Sequence, residues 1–360
     1  MTSTEQNKNS ILNFSWFKIL HWIIIVILLS LTLGSLSAFF LVGLEVVTST
    51  RETSDLWIYF IPIGGLVIGL SYYFLSRGVE GGNNLLIKEM DLPRHYIHWK
   101  IIPLVLFGTL GTHLFGGSAG REGTAVQMGG ALGDQVQQLF KWTRFRRKTL
   151  LRMGVAGGFA GVFGTPLAGI VFAVEFARDK KFSLSSIILS SLVAFGSDYI
   201  CHLWGVGHTI YEVPILPEFT IIDLLLILMI GSLFGITASV FSMSKKGFQW
   251  IFKQIPVPYL RPLAGGLIIV LLFIAFDIKM FLGLGIPTIK DSFTVPSGPL
   301  DVWIKLILTA LTLGAGFKGG EATPLFFMGA VLGSTLSLVL PLPIGFMAGA
   351  GFVAVFGAAT

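Results

Sequence analysis

Gly116-Gly117-Ser118-Ala119-Gly120-Arg121-Glu122-Gly123-Thr124-Ala125-Val126-Gln127 places a glycine-rich turn and an ionisable pair between two apolar segments. Residues 101–120 carry no charge apart from titratable His113, and 125–133 carry none. Glu122 therefore reads as a carboxylate at membrane depth, at a break between helices, where an ionisable side chain is a functional hypothesis by default. Such a break suits an ion. The first N–H groups of the helix after Glu122 have no partner within it, and a helix N-terminus favours an anion.

Composition agrees. Apolar residues make up 53% of the 360 positions and charged residues 12%, about half of the ~25% usual in soluble domains. Residues 19–44, 56–76, 153–174 and 224–244 are uncharged, and each is long enough to cross a hydrocarbon core. The first apolar run begins near Ile19, exceeds an h-region and lacks a small-residue cleavage site, so it reads as a membrane helix rather than a cleaved leader. Residues 1–17 read as a cytoplasmic tail and 18–360 as one membrane domain. The single cysteine, Cys201, excludes an internal disulfide. Much of the +6 charge sits in Lys141, Arg144, Arg146, Arg147, Lys148 and Arg152. These read as a cytoplasmic topology and headgroup anchor, not a nucleic-acid site. His21, His95, His98, His113, His202 and His208 read as forming no i, i+4 or comparable ligand pattern with carboxylates, so neither a metal nor a cofactor is expected.

The opening stretch recurs. Residues 120–133 correspond to 320–333 with a constant offset, and Gly158-Phe159-Ala160-Gly161-Val162-Phe163-Gly164 returns as Gly351-Phe352-Val353-Ala354-Val355-Phe356-Gly357. Two homologous halves, about 18–215 and 216–360, follow. Short or glycine-interrupted segments at 101–116, 124–140 and 323–340 fit helices that stop inside the membrane, which places a site at the repeat interface. The first half continues well past Gly164, whereas the second stops three residues past Gly357. At least one helix of the second half is expected to be missing from this sequence.

Gly120-Arg121-Glu122-Gly123, Gly164-Thr165-Pro166-Leu167-Ala168-Gly169 and Gly319-Gly320-Glu321-Ala322-Thr323-Pro324 together resemble motifs of the CLC family of anion channels and proton-coupled antiporters. The resemblance runs from about residue 60 to the end. It implies an all-α polytopic membrane protein with a CLC-type inverted-topology repeat and discontinuous helices, a homodimer with one pathway per subunit, and an anion held where helix N-termini converge. Three departures from the chloride-transporting pattern stand out. Glu80-Gly81-Gly82-Asn83-Asn84-Leu85 replaces a serine-containing motif, Thr124 replaces a proline, and Gly320-Glu321-Ala322-Thr323-Pro324 stands where the pattern reads Gly-x-Phe-x-Pro, so Ala322 replaces the phenylalanine and an acid precedes it. These look like the fluoride-exporting branch, whose members resemble fluoride/proton antiporters of the plasma membrane.

On that resemblance Glu122 is the protonatable gate, because a carboxylate mimics an anion and leaves the site when protonated. Glu321 is the second proton-transfer acid, since Phe176 stands where chloride antiporters carry an inner glutamate; Glu175 reads as structural. Asn83, Asn84, Gly123, Thr124, Ala322 and Thr323 are the expected anion-binding positions, with Arg121, Gly120, Gly320 and Pro324 shaping the site. A tightly hydrated fluoride needs several strong donors at once, and side-chain amides, hydroxyls and helix-terminal N–H groups supply them. Each residue also has a bland role: the asparagines and Thr323 as helix caps, Glu122 as a partner of Arg121, Glu321 as a partner of Lys318. A chloride channel or chloride/proton antiporter of the same fold is the competing reading. A membrane enzyme using Glu122 and Glu321 as an acid/base pair is disfavoured, as no nucleophile with an adjacent base and no Gly-Lys-Ser phosphate motif occurs.

Overall fold

Proline and glycine, not charge, set where the helices stop. The computed structural model describes residues 3–76, 81–92, 94–140, 144–177, 183–217 and 220–359, and its regular elements there are helical apart from one isolated β-bridge. The α-helices are α1 (Ser3–Thr53), α2 (Leu56–Tyr59), α3 (Ile61–Leu75), α4 (Asn83–Asp91), α5 (Ile101–Leu114), α6 (Glu122–Phe140), α7 (Arg144–Phe163) and α8 (Pro166–Glu175). They continue as α9 (Leu184–Leu203), α10 (Ile221–Lys253), α11 (Leu260–Ala275), α12 (Ile286–Asp291), α13 (Asp301–Ala315), α14 (Ala322–Leu336) and α15 (Ile344–Ala359). Ile19–Thr53, Leu184–Leu203 and Asp223–Lys253 are long and apolar enough to cross a bilayer, while α5 and α14 are the short segments expected around a site.

Two expected spans are interrupted. The uncharged run 153–174 is split, because Gly164 takes φ +69° and Pro166 opens α8. Pro166 has no N–H to give the preceding helix, and its ring would strike a carbonyl there. The run 56–76 likewise divides at Phe60, with a proline in the first turn of α3.

The basic cluster is also not a uniform headgroup anchor. Arg147 is buried, pairing with Glu89 at 2.9 Å and Asp134 at 2.5 Å and donating to the His95 carbonyl at 2.7 Å. Two buried carboxylates draw the guanidinium inward, since either would be costly alone. Lys148 donates to the Asp91 carbonyl at 2.9 Å. Lys141 lies outside the described residues, as does Glu80.

The chain forms two compact units. One comprises Met1–Leu41, Gly81–Ile101 and Ala125–His208, the other Val42–Glu80, Ile102–Thr124 and Thr209–Thr360. In the first, Ile25, Leu29, Leu33, Leu150, Met153 and Val193 build a core. In the second, Phe241, Phe281, Leu306, Leu311, Leu325 and Phe327 do so.

The repeated sequence blocks become repeated packing. In the second unit a Cβ on Gly329 would strike the Gly351 carbonyl, and one on Gly351 would strike the Gly329 carbonyl. In the first unit Gly129 closes reciprocally on Gly154, one helical turn before the repeated block, and a Cβ on Gly158, the counterpart of Gly351, would come within 3.2 Å of Gly129 Cα. Small residues let these helix backbones approach, which is how helices associate where lipid offers no hydrophobic drive.

Candidate anion and proton site

The two copies of the motif meet as an antiparallel bridge. Gly120 N–H donates to Gly320 O and Gly320 N–H to Gly120 O, each at 2.7 Å. The surrounding bonds repeat with the same symmetry. Ser118 N–H donates to Thr312 Oγ1 and Lys318 N–H to Thr112 Oγ1, both at 3.2 Å. Gly116 (φ +89°) and Gly316 (φ +100°) end the preceding helices α5 and α13 in left-handed conformations that favour glycine. The bridge thus delivers two helix N-termini, those of α6 and α14, to one place.

Glu122 lies there, 4% exposed. Its Oε1 accepts a hydrogen bond from the Thr323 hydroxyl on the first turn of α14, and Oε2 accepts from the Arg121 backbone N–H at 3.0 Å. The carboxylate folds over the bridge: a Cβ on Gly320 would come within 2.6 Å of Oε2 and within 2.9 Å of Glu122 N. A Cβ on Gly120 would strike the same oxygen. The glycines therefore make the space that the carboxylate fills. Gly320→Ala is expected to displace Glu122 from this seat and to destabilise the fold by about 1–3 kcal/mol, the range for overpacking a tight site. Thermal unfolding checks the second effect, and a crystal structure of the variant checks the first.

The other expected residues are distributed unevenly. Gly123, Ala322 and Pro324 are buried around the bridge, on the first turns of α6 and α14. Thr323 is not the cap of α14; Glu321 holds that position without a side-chain capping bond, and the Thr323 hydroxyl goes to Glu122 instead. The Thr124 hydroxyl is engaged with Thr109 Oγ1 at 2.6 Å, on α5. Asn83 opens α4 with its Oδ1 buried and without a hydrogen-bond partner among the described residues, whereas Asn84 is exposed. Neither asparagine caps α4, since Gly82 (φ +52°) is its N-cap residue. Both belong to the first unit, and the Gly120–Gly320 bridge to the second.

Glu321 does not pair with Lys318. Its carboxylate is bonded to Lys245 of α10, with the two side chains 43% and 23% exposed. Lys318 sits in the extended stretch before the bridge, where Gly319 has φ +150°, and its ammonium lies 3.9 Å from the centroid of the Tyr72 ring. Because Lys318 precedes α14, no helical spacing brings it to Glu321. The only sequence signal for Lys245 is that it terminates the uncharged run 224–244. Tyr211, which no sequence motif marks, is a further neighbour of the site. It stacks on Phe293 at 5.6 Å and lies within electrostatic reach of Arg121 and Glu122.

The histidine reading also needs correction. Asp198 and His202 are four apart on α9 and so share a face, and His208 joins them, their ligand atoms lying within 4.8 Å of one another. Gly205 (φ +75°) provides the turn that follows the helix.

A sequence model described as voltage gated chloride channel matches residues 64–360. The chloride/fluoride channel protein of Pseudomonas syringae pv. tomato is 40% identical over 348 residues, covering 95% of this chain and 77% of its own length. The H(+)/Cl(-) exchange transporter ClcA of Vibrio campbellii is 29% identical over 360 residues, covering 90% of this chain and 76% of its own. Among solved structures, the crystal structure of a CLC-type fluoride/proton antiporter superposes with a TM-score of 0.91 at 34% identity, covering 96% of this chain and 88% of that one. A slow cyanobacterial Cl-/H+ antiporter shares the fold, with a TM-score of 0.79 at 20% identity over 93% of this chain and 84% of that one.

Proposed function

Because this chain belongs to the CLC family of anion channels and transporters, multi-pass membrane proteins and not enzymes, we propose that it exports fluoride across the plasma membrane in exchange for protons, with Glu122 as the gate. The observation that carries this reading is the seat of the Glu122 carboxylate, on the Thr323 hydroxyl and above the Gly120–Gly320 bridge. A carboxylate in that position is a tethered anion. Protonation removes its charge and weakens its claim on the Thr323 hydroxyl and the helix-terminal dipoles. A free anion then takes the vacated donors, and the charge at the site is unchanged, because one proton has neutralised one carboxylate as one anion entered. Reversal returns the proton to the other side, so the same side chain links the two fluxes.

Fluoride rather than chloride is supported by relatives and by donor chemistry. The 40% identical relative carries a chloride/fluoride name and the 34% identical structure is a fluoride/proton antiporter. A hydroxyl and a side-chain amide are strong donors suited to a small, tightly hydrated anion. Glu321, beside Thr323 and exposed enough to exchange protons with water, acts as the second acid; Lys245 holds it in place. A homodimer with one pathway per subunit belongs to the same reading, and sedimentation in detergent checks it.

Purified protein in liposomes tests the proposal directly. An outward fluoride gradient is expected to drive proton uptake, and an equal chloride gradient to drive far less. Chloride-driven uptake of equal size would identify a chloride/proton antiporter, and anion flux with no proton movement a channel. Asn83 supplies the finer test. Asn83→Ser exchanges an amide donor for a hydroxyl and is expected to lower the fluoride-to-chloride efflux ratio. An unchanged ratio would move selectivity away from α4.

A further inference from the structure

The transport reading leaves one cluster of chemistry unused. Asp198 and His202 lie on one face at the C-terminal end of α9, and His208 follows after the turn at Gly205. The His202 and His208 ring centroids are 5.0 Å apart, and His202 Nδ1 is 3.4 Å from Asp198 Oδ1. All three ligand atoms lie within 4.8 Å of one another. The Asp198 Oδ1 atom is buried and accepts no hydrogen bond among the described residues.

We propose that Asp198, His202 and His208 form a binding site for a first-row divalent transition ion, with zinc the best match to two imidazoles and one carboxylate. This donor set is the kind that zinc takes at an open site, with water completing the coordination. His208 is oriented for the task. Its Nε2 is bonded to the Gly161 carbonyl at 3.1 Å, and its ring lies against that of His202. Pairing of the second ring nitrogen with a carbonyl is how ligating imidazoles are usually aimed. The ring packs closely on Gly164 (φ +69°), where a Cβ would come within 2.5 Å of its Cγ. Metal–ligand bonds of about 2.0–2.2 Å require the three atoms to close in by roughly 1 Å. Rotation of His202, half-exposed at the helix end, supplies that movement.

The site has a position as well as a chemistry. Arg178, Lys180 and Lys181 precede α9 in the sequence, so the positive-inside bias puts the opposite end of α9, and the cluster, on the extracytoplasmic side. A bound ion would fasten the end of α9 to the segment 205–208, three residues before Tyr211.

The test uses the full chain, purified in detergent and stripped with a chelator. Titration with zinc chloride is followed by calorimetry, and titration with cobalt chloride by visible absorption. One equivalent of zinc is expected to bind, with cobalt giving the d–d bands of a low-coordinate nitrogen and oxygen site. His202→Ala and Asp198→Asn should each weaken binding by about ten-fold or more, the scale on which a metal site suffers when its ligand shell is disturbed. His202 is exposed, so His202→Ala keeps the fold, and retained fluoride flux in that variant verifies it. His98→Ala is the control and should bind as the parent does. Absence of saturable zinc binding overturns the proposal, as does unchanged affinity in both His202→Ala and Asp198→Asn. Either result would leave Asp198 and His202 as an i, i+4 pair on a helix and His208 as packing against Gly164. Since calorimetry does not depend on transport, failure here leaves the antiporter reading standing.

Discussion

Replacing Glu122 with glutamine is expected to abolish fluoride-driven proton uptake, leaving it at the level of protein-free liposomes, while anion movement persists at an altered rate. Glutamine has the size of glutamate but cannot exchange a proton at neutral pH. The local hydrogen bonds sharpen the expectation. Both carboxylate oxygens of Glu122 accept, one from the Thr323 hydroxyl and one from the Arg121 N–H. An amide offers one acceptor and one donor, so it can keep this seat only if its carbonyl meets Arg121 and the Thr323 hydroxyl turns round to accept. The uncharged amide also gives up its attraction to the N-termini of α6 and α14. Its occupancy of the site should fall, as it does for the protonated acid. Proton uptake and fluoride efflux are measured together in liposomes. Coupled exchange at the parental ratio in this variant would remove Glu122 as the gate.

The second large effect is expected at Glu321. Glu321→Gln should slow fluoride/proton exchange by about ten-fold or more, equivalent to ~1.4 kcal/mol on the barrier, while the protein stays folded. Glu321 is the N-cap residue of α14, two positions before Thr323, and on the proposed reading its carboxylate supplies the second acid where Phe176 leaves no glutamate. A structural role makes a different forecast. If Glu321 serves only to neutralise Lys245, the single variant strands a half-buried ammonium, and Glu321→Gln/Lys245→Met should restore both stability and transport. Thermal unfolding and flux on the parent, the single and the double variant separate these outcomes. Recovery of parental exchange in the double variant would exclude a transport role for Glu321. Lys318 is not the partner to test, because it lies over Tyr72.

These two acids illustrate how legible the site was. The motif around Glu122, its copy 200 positions later and the lack of charge on either side were enough to place a buried carboxylate at the meeting of two helix starts. The reason is that a repeat with a constant offset folds into equivalent elements, and equivalent elements related by symmetry present equivalent backbone atoms to each other. Gly120 and Gly320 do so atom for atom. Side-chain partners were less legible. Thr124, read as an anion ligand, has its hydroxyl on Thr109, and Glu321 found Lys245, 76 positions away, in place of Lys318.

By itself the sequence determined the class of fold, the repeat, the position of the Glu122 carboxylate and the family, because hydrophobic length, glycine placement and motif order act locally and survive any arrangement of the helices. It also contained the Asp198–His202 spacing, though His208 could be added only once the turn at Gly205 had been seen. The tertiary structure alone decided which donor meets which acceptor. It seated Glu122 on Thr323, divided 153–174 at Gly164, and drew Arg147 inward to Glu89 and Asp134. Those outcomes depend on how closely packed helices bring together residues far apart in the chain, and a buried charge takes whichever partner that packing supplies.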